Sequence, residues 1–322
     1  MTTKTAESVA DLFEQAITLA RDGDKASPRG LPTREALGVT LRLTRPRARL
    51  LLPAAGGGRV LNTAFAAAEC VWILSGSNDP WIYDYNARMR QYTDEGVLRG
   101  AYGPRMRSWR GEVDQLAHVV ELLRRDPDSR QAVIQLYDPQ ADAPGHKDIP
   151  CTLGWRFQLR QGRLHMATTM RSQDVWTGLP YDLFTFTVLH ELVAGWLGVE
   201  LGEYRHHVDS LHLYETDLDL ADAALGKVAS PEMDSLATPW SGFDAMLDRV
   251  SGFEPTVHPA WDSFTAVMAG YRCWKEGRYD KARTFAALAT GPMRQGLEAW
   301  FEELEQRRHR GTQSATAGAV TR

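Results

Sequence analysis

Cysteine is scarce in this chain: Cys70, Cys151 and Cys273 are the only three in 322 residues, far apart and odd in number. That count excludes a disulfide framework, offers no zinc-binding spacing, and suits reduced thiols in a cytoplasmic setting. Long apolar runs are missing too. None approaches the roughly 18 to 20 residues that cross a bilayer, so no membrane partner is expected. The stretch from Met1 to Thr5, followed by Glu7 and Asp11, lacks the apolar core of a secretory leader. Positive charge is not in excess: the formal net charge of -4 speaks against broad nucleic-acid binding. Repeats and Pro/Ser linkers are also lacking, so nothing forces a domain cut.

What remains is ordinary for a soluble globular protein, with 43% hydrophobic and 24% charged residues. Arginine is plentiful (Arg105, Arg107, Arg110, Arg124-Arg125, Arg307-Arg308), and a small phosphorylated ligand needs only a few.

Apolar spacing predicts a helix over 6–21, closed by Asp22-Gly23-Asp24, then a strand over 37–52 that breaks at Pro46. Ala54-Ala55-Gly56-Gly57-Gly58 reads as a turn. Asn62 or Thr63 caps a buried helix through Leu74, and a second amphipathic helix runs from Asp114 to Arg125. Residues 131–137 and 153–169 read as strands, the latter two joined at Gln161-Gly162. Helices are expected from Asp182 to Leu197 and at about 209–226. From Gln306 the composition is that of a disordered tail. Helices alternating with strands argue for a single α/β or α+β domain.

Several polar residues carry chemistry. Cys151 follows Asp148-Ile149-Pro150 at a loop-to-strand junction. A thiolate is the strongest nucleophile a side chain offers near neutral pH, although a buried cysteine is commonly inert. Arg171-Ser172 lies just after a strand, where a guanidinium fork and a hydroxyl suit phosphate. Asp182 opens a helix, so capping competes with a binding role. Glu69 lies inside the apolar run Ala64 to Leu74, where an ionisable group is costly unless paired or functional. His212 and Tyr214 flank Leu213 and would share one face of a strand. His206-His207-x-Asp209 invites a metal reading, but adjacent histidines on a strand face opposite ways, and no metal is expected.

Taken together these segments resemble the thymidylate synthase family. The strongest block is RSQDVWTGLPYDLF at 171–184. DIPC at 148–151, AECVWILSGSND at 68–79, LRGAYGPRMRSW at 98–109, VDQLAHVVELLRRDPDSR at 113–130 and DSLHLYETDL at 209–218 follow the family's order. The resemblance implies a mixed α+β thymidylate synthase-like fold: a large mixed β-sheet with surrounding helices, one sheet face forming an obligate homodimer interface. It implies one catalytic domain over 1–305, with 306–322 as the tail. Residue by residue, Cys151 matches the nucleophile, Glu69 the glutamate that organises water and proton transfer, and Tyr102 a tyrosine beside the nucleophile. Arg171, Ser172 and Arg29 match phosphate ligands, with Arg34 competing for the last role. Arg130 matches an arginine that reaches the partner subunit's site. His212 and Tyr214 match the pair that holds the sugar hydroxyl, and Asp174 and Gly178 match folate-site positions.

The chain departs from thymidylate-making members where it has Asp182 in place of their Asn. An amide matches the N3–H donor and O4 acceptor of uracil, whereas a carboxylate only accepts, which suits the N4 amino group of cytosine and a protonated N3. Asp at this place resembles the (d)CMP hydroxymethylases. Thr152 follows the nucleophile where thymidylate synthases have His. The tryptophans those enzymes carry ahead of the Tyr102 block are not found in 86–93, and the last residues do not match their apolar C-terminal lid. These departures suit a reaction in which water is the final reactant. The expectation is therefore a hydroxymethyltransferase that converts CMP or dCMP with 5,10-methylenetetrahydrofolate. Its rivals are a thymidylate synthase or (d)CMP methylase, and a catalytically silent nucleotide- or RNA-binding protein on the same fold.

Overall fold

The structure is a computed structural model describing residues 2–54 and 57–319, with side chains described to residue 310. The strands are β1 (Thr2–Ala6), β2 (Asp24–Ala26), β3 (Thr33–Leu43), β4 (Leu52–Pro53), β5 (Val133–Gln135), β6 (Thr152–Arg160), β7 (Arg163–Met170), β8 (Gln173–Asp174), β9 (Glu200–Tyr214) and β10 (Val228–Ala229). The helices are α1 (Val9–Arg21), α2 (Thr63–Leu74), α3 (Tyr102–Arg107), α4 (Gln115–Arg125), α5 (Pro139–Asp142), α6 (Leu179–Leu197), α7 (Leu218–Ala224), α8 (Phe243–Ser251), α9 (Pro259–Lys275), α10 (Tyr279–Leu288) and α11 (Gly291–Ala319).

Eight strands form one mixed sheet in the order β1-β3-β9-β7-β6-β5, with β2 beside β3 and β8 beside β9. β9 is its spine: it runs antiparallel to β3 and parallel to β7 and β8. The β6–β7 hairpin turns at Gln161 and Gly162, both at positive φ (53° and 72°), as a tight two-residue hairpin turn requires. Side chains alternate across the sheet. Val39, Leu41, Trp155, Phe157, Met166, Tyr204 and Val208 are buried on one face, while Arg42, Arg156, His165, Arg205 and His207 lie on the other, more polar face.

Helices α2 and α6 are buried almost all round, α6 through Leu183, Phe184, Phe186, Val188 and Leu192. Phe184 stacks on Phe264 of α9 at 5.9 Å, so α6 is sandwiched between the sheet and the outer helices. A helix apolar on every side belongs in the middle of a domain, and these two carry the site's carboxylates into it.

Four expectations differ from what is observed. The helix expected to open at Asp182 starts earlier, at Leu179, with Gly178 at its N-cap position and Pro180 in the first turn. Asp182 is therefore not a cap: its N–H donates to Gly178 O within the helix. The helix expected at 209–226 is the end of β9 followed by short α7, because pairing with β3 and β8 satisfies the backbone through Tyr214. The strand expected over 37–52 runs instead from Thr33 to Leu43. From Gln306, where a disordered tail was expected, α11 continues as helix to Ala319, while 320–322 lie outside the described residues, as do Ala55 and Gly56 of the glycine turn. Elsewhere the boundaries agree closely, and of the two candidate caps it is Asn62 whose Oδ1 accepts from Phe65 N at 3.0 Å.

Candidate active site

Cys151 sits one residue ahead of β6, half-buried, while Cys70 and Cys273 are buried. The main-chain N–H of Arg171 donates to Cys151 O at 2.9 Å, which carries the β6–β7 pairing past the strand ends and fixes Arg171 beside the thiol. Arg171 then turns back on the segment preceding the cysteine: Nε donates to Pro150 O and Nη2 to Ile149 O, both at 2.9 Å. Burial pushes the Cys151 thiol up, Arg171 and Arg29 pull it down, and Asp182 and Asp148 oppose them. Asp148 is itself raised to about 6 by burial, although Gly100 N donates to it at 3.1 Å. A side chain at Gly100 would put Cβ 1.7 Å from Asp148 O, so this approach requires glycine.

Tyr102 opens α3 and lies within electrostatic reach of Cys151. Its hydroxyl accepts from Thr152 N at 3.3 Å and Thr152 Oγ1 at 3.1 Å, and its ring packs edge-on to Trp155. Burial raises Tyr102 well above its ordinary range, so it stays a phenol. Glu69 of α2 and Asp182 of α6 are half-buried and close enough for the charge of Asp182 to act on Glu69, Cys151 and Tyr102. Burial, reinforced by the charge of Asp182, raises Glu69 to about 8. Burial raises Asp182 to about 7, against a hydrogen bond from Gln173 Nε2 to Oδ2 at 2.8 Å. Both carboxyls therefore sit near the pH at which they exchange protons usefully.

On the far side, Ser172 Oγ lies 3.4 Å from His212 Nδ1, and the rings of His212 and Tyr214 meet edge-on at 5.4 Å. β9 places both on one face, as expected of a strand. Arg29 is exposed with φ 57°, and its charge reaches Cys151. Its competitor Arg34 is paired with Glu215 at 3.5 Å. Arg130 is exposed and makes no ion pair among the described residues. Asp174 spends Oδ1 on the N–H groups of Trp176 (2.8 Å) and Thr177 (3.0 Å), so it shapes the turn before α6. The histidine pair divides between two networks: His206 Nε2 contacts Gln173 Oε1 at 2.8 Å, and His207 Nδ1 contacts Thr40 Oγ1 at 2.9 Å.

Two contributors escaped sequence reading. Gln173 lies between Ser172 and Asp174 in the RSQD block, and only its contacts reveal it. Arg59 lies 4.2 Å from the Trp176 ring centroid, and its buried Nε has no partner among the described residues. A cation stacked on an indole with a donor to spare suits a flat, anionic ligand. A concavity of about 460 Å³ elsewhere, lined by Arg45, Arg47 and Glu232, contains none of these groups. Here chemistry locates the site, not volume.

The structure brings together a half-buried thiol, two arginines, a phenol and two carboxyls of raised pKa, groups whose chemistry is able to support nucleophilic attack. The chain belongs to the thymidylate synthase family, whose pattern, described as thymidylate synthase, matches residues 16–242. A deoxyuridylate hydroxymethyltransferase of Bacillus phage SP01 is 38% identical over 214 residues, covering 62% of this chain and 55% of that protein. A protein of the same name from Pseudomonas phage M6 is 37% identical over 206 residues, covering 62% of this chain and 57% of that one. The chain thus spans little more than half the length of these relatives.

Proposed function

We propose that this protein adds a hydroxymethyl group to C5 of a cytidine nucleotide, CMP or dCMP, using 5,10-methylenetetrahydrofolate and water. The observation that carries the proposal is Asp182, a half-buried carboxyl raised to about 7 whose charge acts on Cys151. The two relatives named as hydroxymethyltransferases support the one-carbon group.

Cys151 thiolate adds to C6 of the base, and the displaced electron pair moves toward N3. Asp182, poised to hold a proton near neutrality, shares it with N3 and accepts from the N4 amino group, stabilising the adduct. C5 is now nucleophilic and takes the one-carbon unit that the folate supplies. Loss of the C5 proton, with cleavage of the carbon–nitrogen bond and departure of tetrahydrofolate, leaves an exocyclic methylene on the pyrimidine. Glu69, which holds a proton at neutral pH, orders water and relays the proton: as water adds to that methylene, the carboxyl gives its proton to the departing Cys151 thiolate and takes one from the water. The coproduct is tetrahydrofolate. Arg171, Ser172 and Arg29 take the phosphate, His212 and Tyr214 the sugar, and Arg59 with Trp176 and the Asp174–Gly178 turn the folate. Residues 1–305 act as one catalytic domain. Arg130, exposed and without an ion pair among the described residues, serves the partner subunit's site in a homodimer joined through the polar face of the sheet.

A uracil substrate is the second reading, favoured by the word deoxyuridylate in the relatives' names. A neutral Asp182 would then donate to O4. Incubation with CMP, dCMP, UMP or dUMP plus methylenetetrahydrofolate, read by product mass, separates these readings. A hydroxymethyl cytosine product without dihydrofolate is expected. A methyl product, or turnover of uracil nucleotides alone, overturns the proposal.

A further inference from the structure

From Asp182 a chain of buried polar groups runs along the buried face of the sheet, from β8 across β9 to β7. Gln173 Nε2 meets Asp182 Oδ2 at 2.8 Å, and Gln173 Oε1 meets His206 Nε2 at 2.8 Å. His206 Nδ1 meets Tyr204 Oη at 2.9 Å, and Tyr204 Oη meets Thr168 Oγ1 at 2.7 Å. Gln173, His206, Tyr204 and Thr168 are all buried. Such a chain has a direction, and the neighbouring groups decide it. Gln173 Nε2 also faces Asp174 O at 3.5 Å, so turning the amide would set oxygen against a carbonyl. With Nε2 held there, Oε1 can only accept, so His206 carries its proton on Nε2. Burial pushes His206 down to about 3, leaving it one proton. Nδ1 is then an acceptor, Tyr204 donates to it, and Thr168 donates to Tyr204. Every bond points toward Asp182.

Gly178 is a separate observation that supports this arrangement. A methyl group there would stand 2.8 Å from Gln173 Nε2, 3.3 Å from Asp174 O and 3.6 Å from Asp182 Oδ2. At φ -95° the backbone does not need glycine; the approach of the amide to the carboxyl does.

We infer that Gln173 is a positioning residue for base selection: clamped between His206 and Asp182, its amide presents Asp182 to the nucleotide base as a hydrogen-bond acceptor. The inference rests on the reading that Asp182 meets the base. A donor on Oδ2 favours the carboxylate and turns Oδ1 toward the ligand, where it accepts from an N4 amino group and repels O4. Without that donor the carboxyl takes up a proton, and a neutral acid tolerates either base.

The test compares dissociation constants of CMP and UMP, each alone, by calorimetry on the full chain, and kcat/KM with methylenetetrahydrofolate. Gln173→Met keeps length and loses both polar contacts. The cytosine-to-uracil preference falls by about tenfold, the worth of one charge-assisted hydrogen bond. Gly178→Ala displaces the amide without touching it chemically and lowers the same binding ratio, which carries the test should Gln173→Met fail to fold. A merely structural role would weaken both nucleotides equally; an unchanged ratio in a folded variant overturns the inference. Wild type serves as the control for the underlying reading: no cytosine preference there sinks the role of Asp182 itself. A cytosine preference that survives in both variants sinks only the role of Gln173.

Discussion

The main-chain N–H of Arg171 donates to the carbonyl of Cys151 at 2.9 Å, while its guanidinium reaches back to Pro150 and Ile149. One residue thus extends the strand pairing, braces the loop that presents the thiol, and lowers the thiol's pKa. These roles can be separated. Arg171→Gln keeps the main-chain bond and removes the cation, so the thiol titrates higher. Alkylation by iodoacetamide at pH 8, followed by mass spectrometry, should slow about threefold to tenfold at Cys151. Cys70 and Cys273, buried at 0% and 3% exposure, should stay unlabelled and report an intact fold. Faster or unchanged labelling would contradict the electrostatic role of Arg171.

If Cys151 forms the adduct at C6, its oxygen analogue cannot replace it at neutral pH, because a serine hydroxyl is hardly ionised there. Cys151→Ser should cut tritium release from C5-labelled nucleotide by ~1,000-fold or more while leaving nucleotide affinity within about threefold. Residual release near the wild-type rate would mean that no covalent adduct is needed.

The parts of this architecture that could be read from sequence are those set by local periodicity. Helix α2 with its Asn62 cap, α4 with its Asp114 cap and the hairpin at Gln161-Gly162 depend on neighbours within a few residues. The segment from Asp209 to Ala224 misled because its apolar residues fit helical spacing as well as strand alternation. Pairing with β3, some 175 residues away, decides it, and that partner leaves no local trace. The start of α6 was obscured by Asp182, a residue type common at caps, although Pro180 is the better marker of a first turn. At the candidate site, motif order singled out the thiol and both carboxyls, which the structure places within electrostatic reach of one another. Gln173 gave no signal, since its importance lies wholly in contacts to residues 9 and 33 positions away.

Asp182→Asn tests directly whether Asp182 selects the base. A neutral amide supplies both a donor and an acceptor, matching O4 and N3–H of uracil, and cannot take the proton shared with N3 of cytosine. The ratio of kcat/KM for CMP over UMP should fall by about tenfold to a hundredfold. Competition between the two nucleotides in one reaction, read by product mass, measures it without separate calibration. A preference that did not move would remove Asp182 from base selection.

Glu69 gives a pH dependence whose sign follows from its environment. Burial and the charge of Asp182 raise it to about 8, whereas in the unfolded chain it ionises near its ordinary 4.5. Between those values the folded state holds a proton that the unfolded state has lost, so stability falls as pH rises from about 4.5 to 8. Asp182, raised to about 7, adds a fall of the same sign that ends lower. Glu69→Gln cannot ionise and removes its share. The melting temperature of the ligand-free variant should decline less than wild type between pH 5 and pH 8, and the variant should melt higher at pH 8. A parallel pair of curves would show that Glu69 is ionised in the folded state.

A buried ion pair holds α6, and with it Asp182, in place. Arg49 and Glu191 form an ion pair at the end of α6 remote from the site, with side-chain exposures of 0% and 5%. Glu191 also accepts from Ser235 Oγ at 2.7 Å and Leu236 N at 3.1 Å, but Arg49 Nε and Nη1 have no partner among the described residues. Burial pushes Glu191 up; Arg49 and those donors outweigh it and leave the carboxyl below its ordinary range. Removing one partner strands the other charge in a dry interior, so Arg49→Ala should cost about 3–5 kcal/mol in urea denaturation. Replacing both charges relieves the penalty, because an incompletely bonded guanidinium contributes little net stability. Arg49→Met combined with Glu191→Gln keeps volume, and the glutamine carbonyl still accepts from Ser235 and Leu236. The double variant should therefore be more stable than Arg49→Ala, and a loss as large as or larger than the single change would mean that the ion pair itself stabilises the fold.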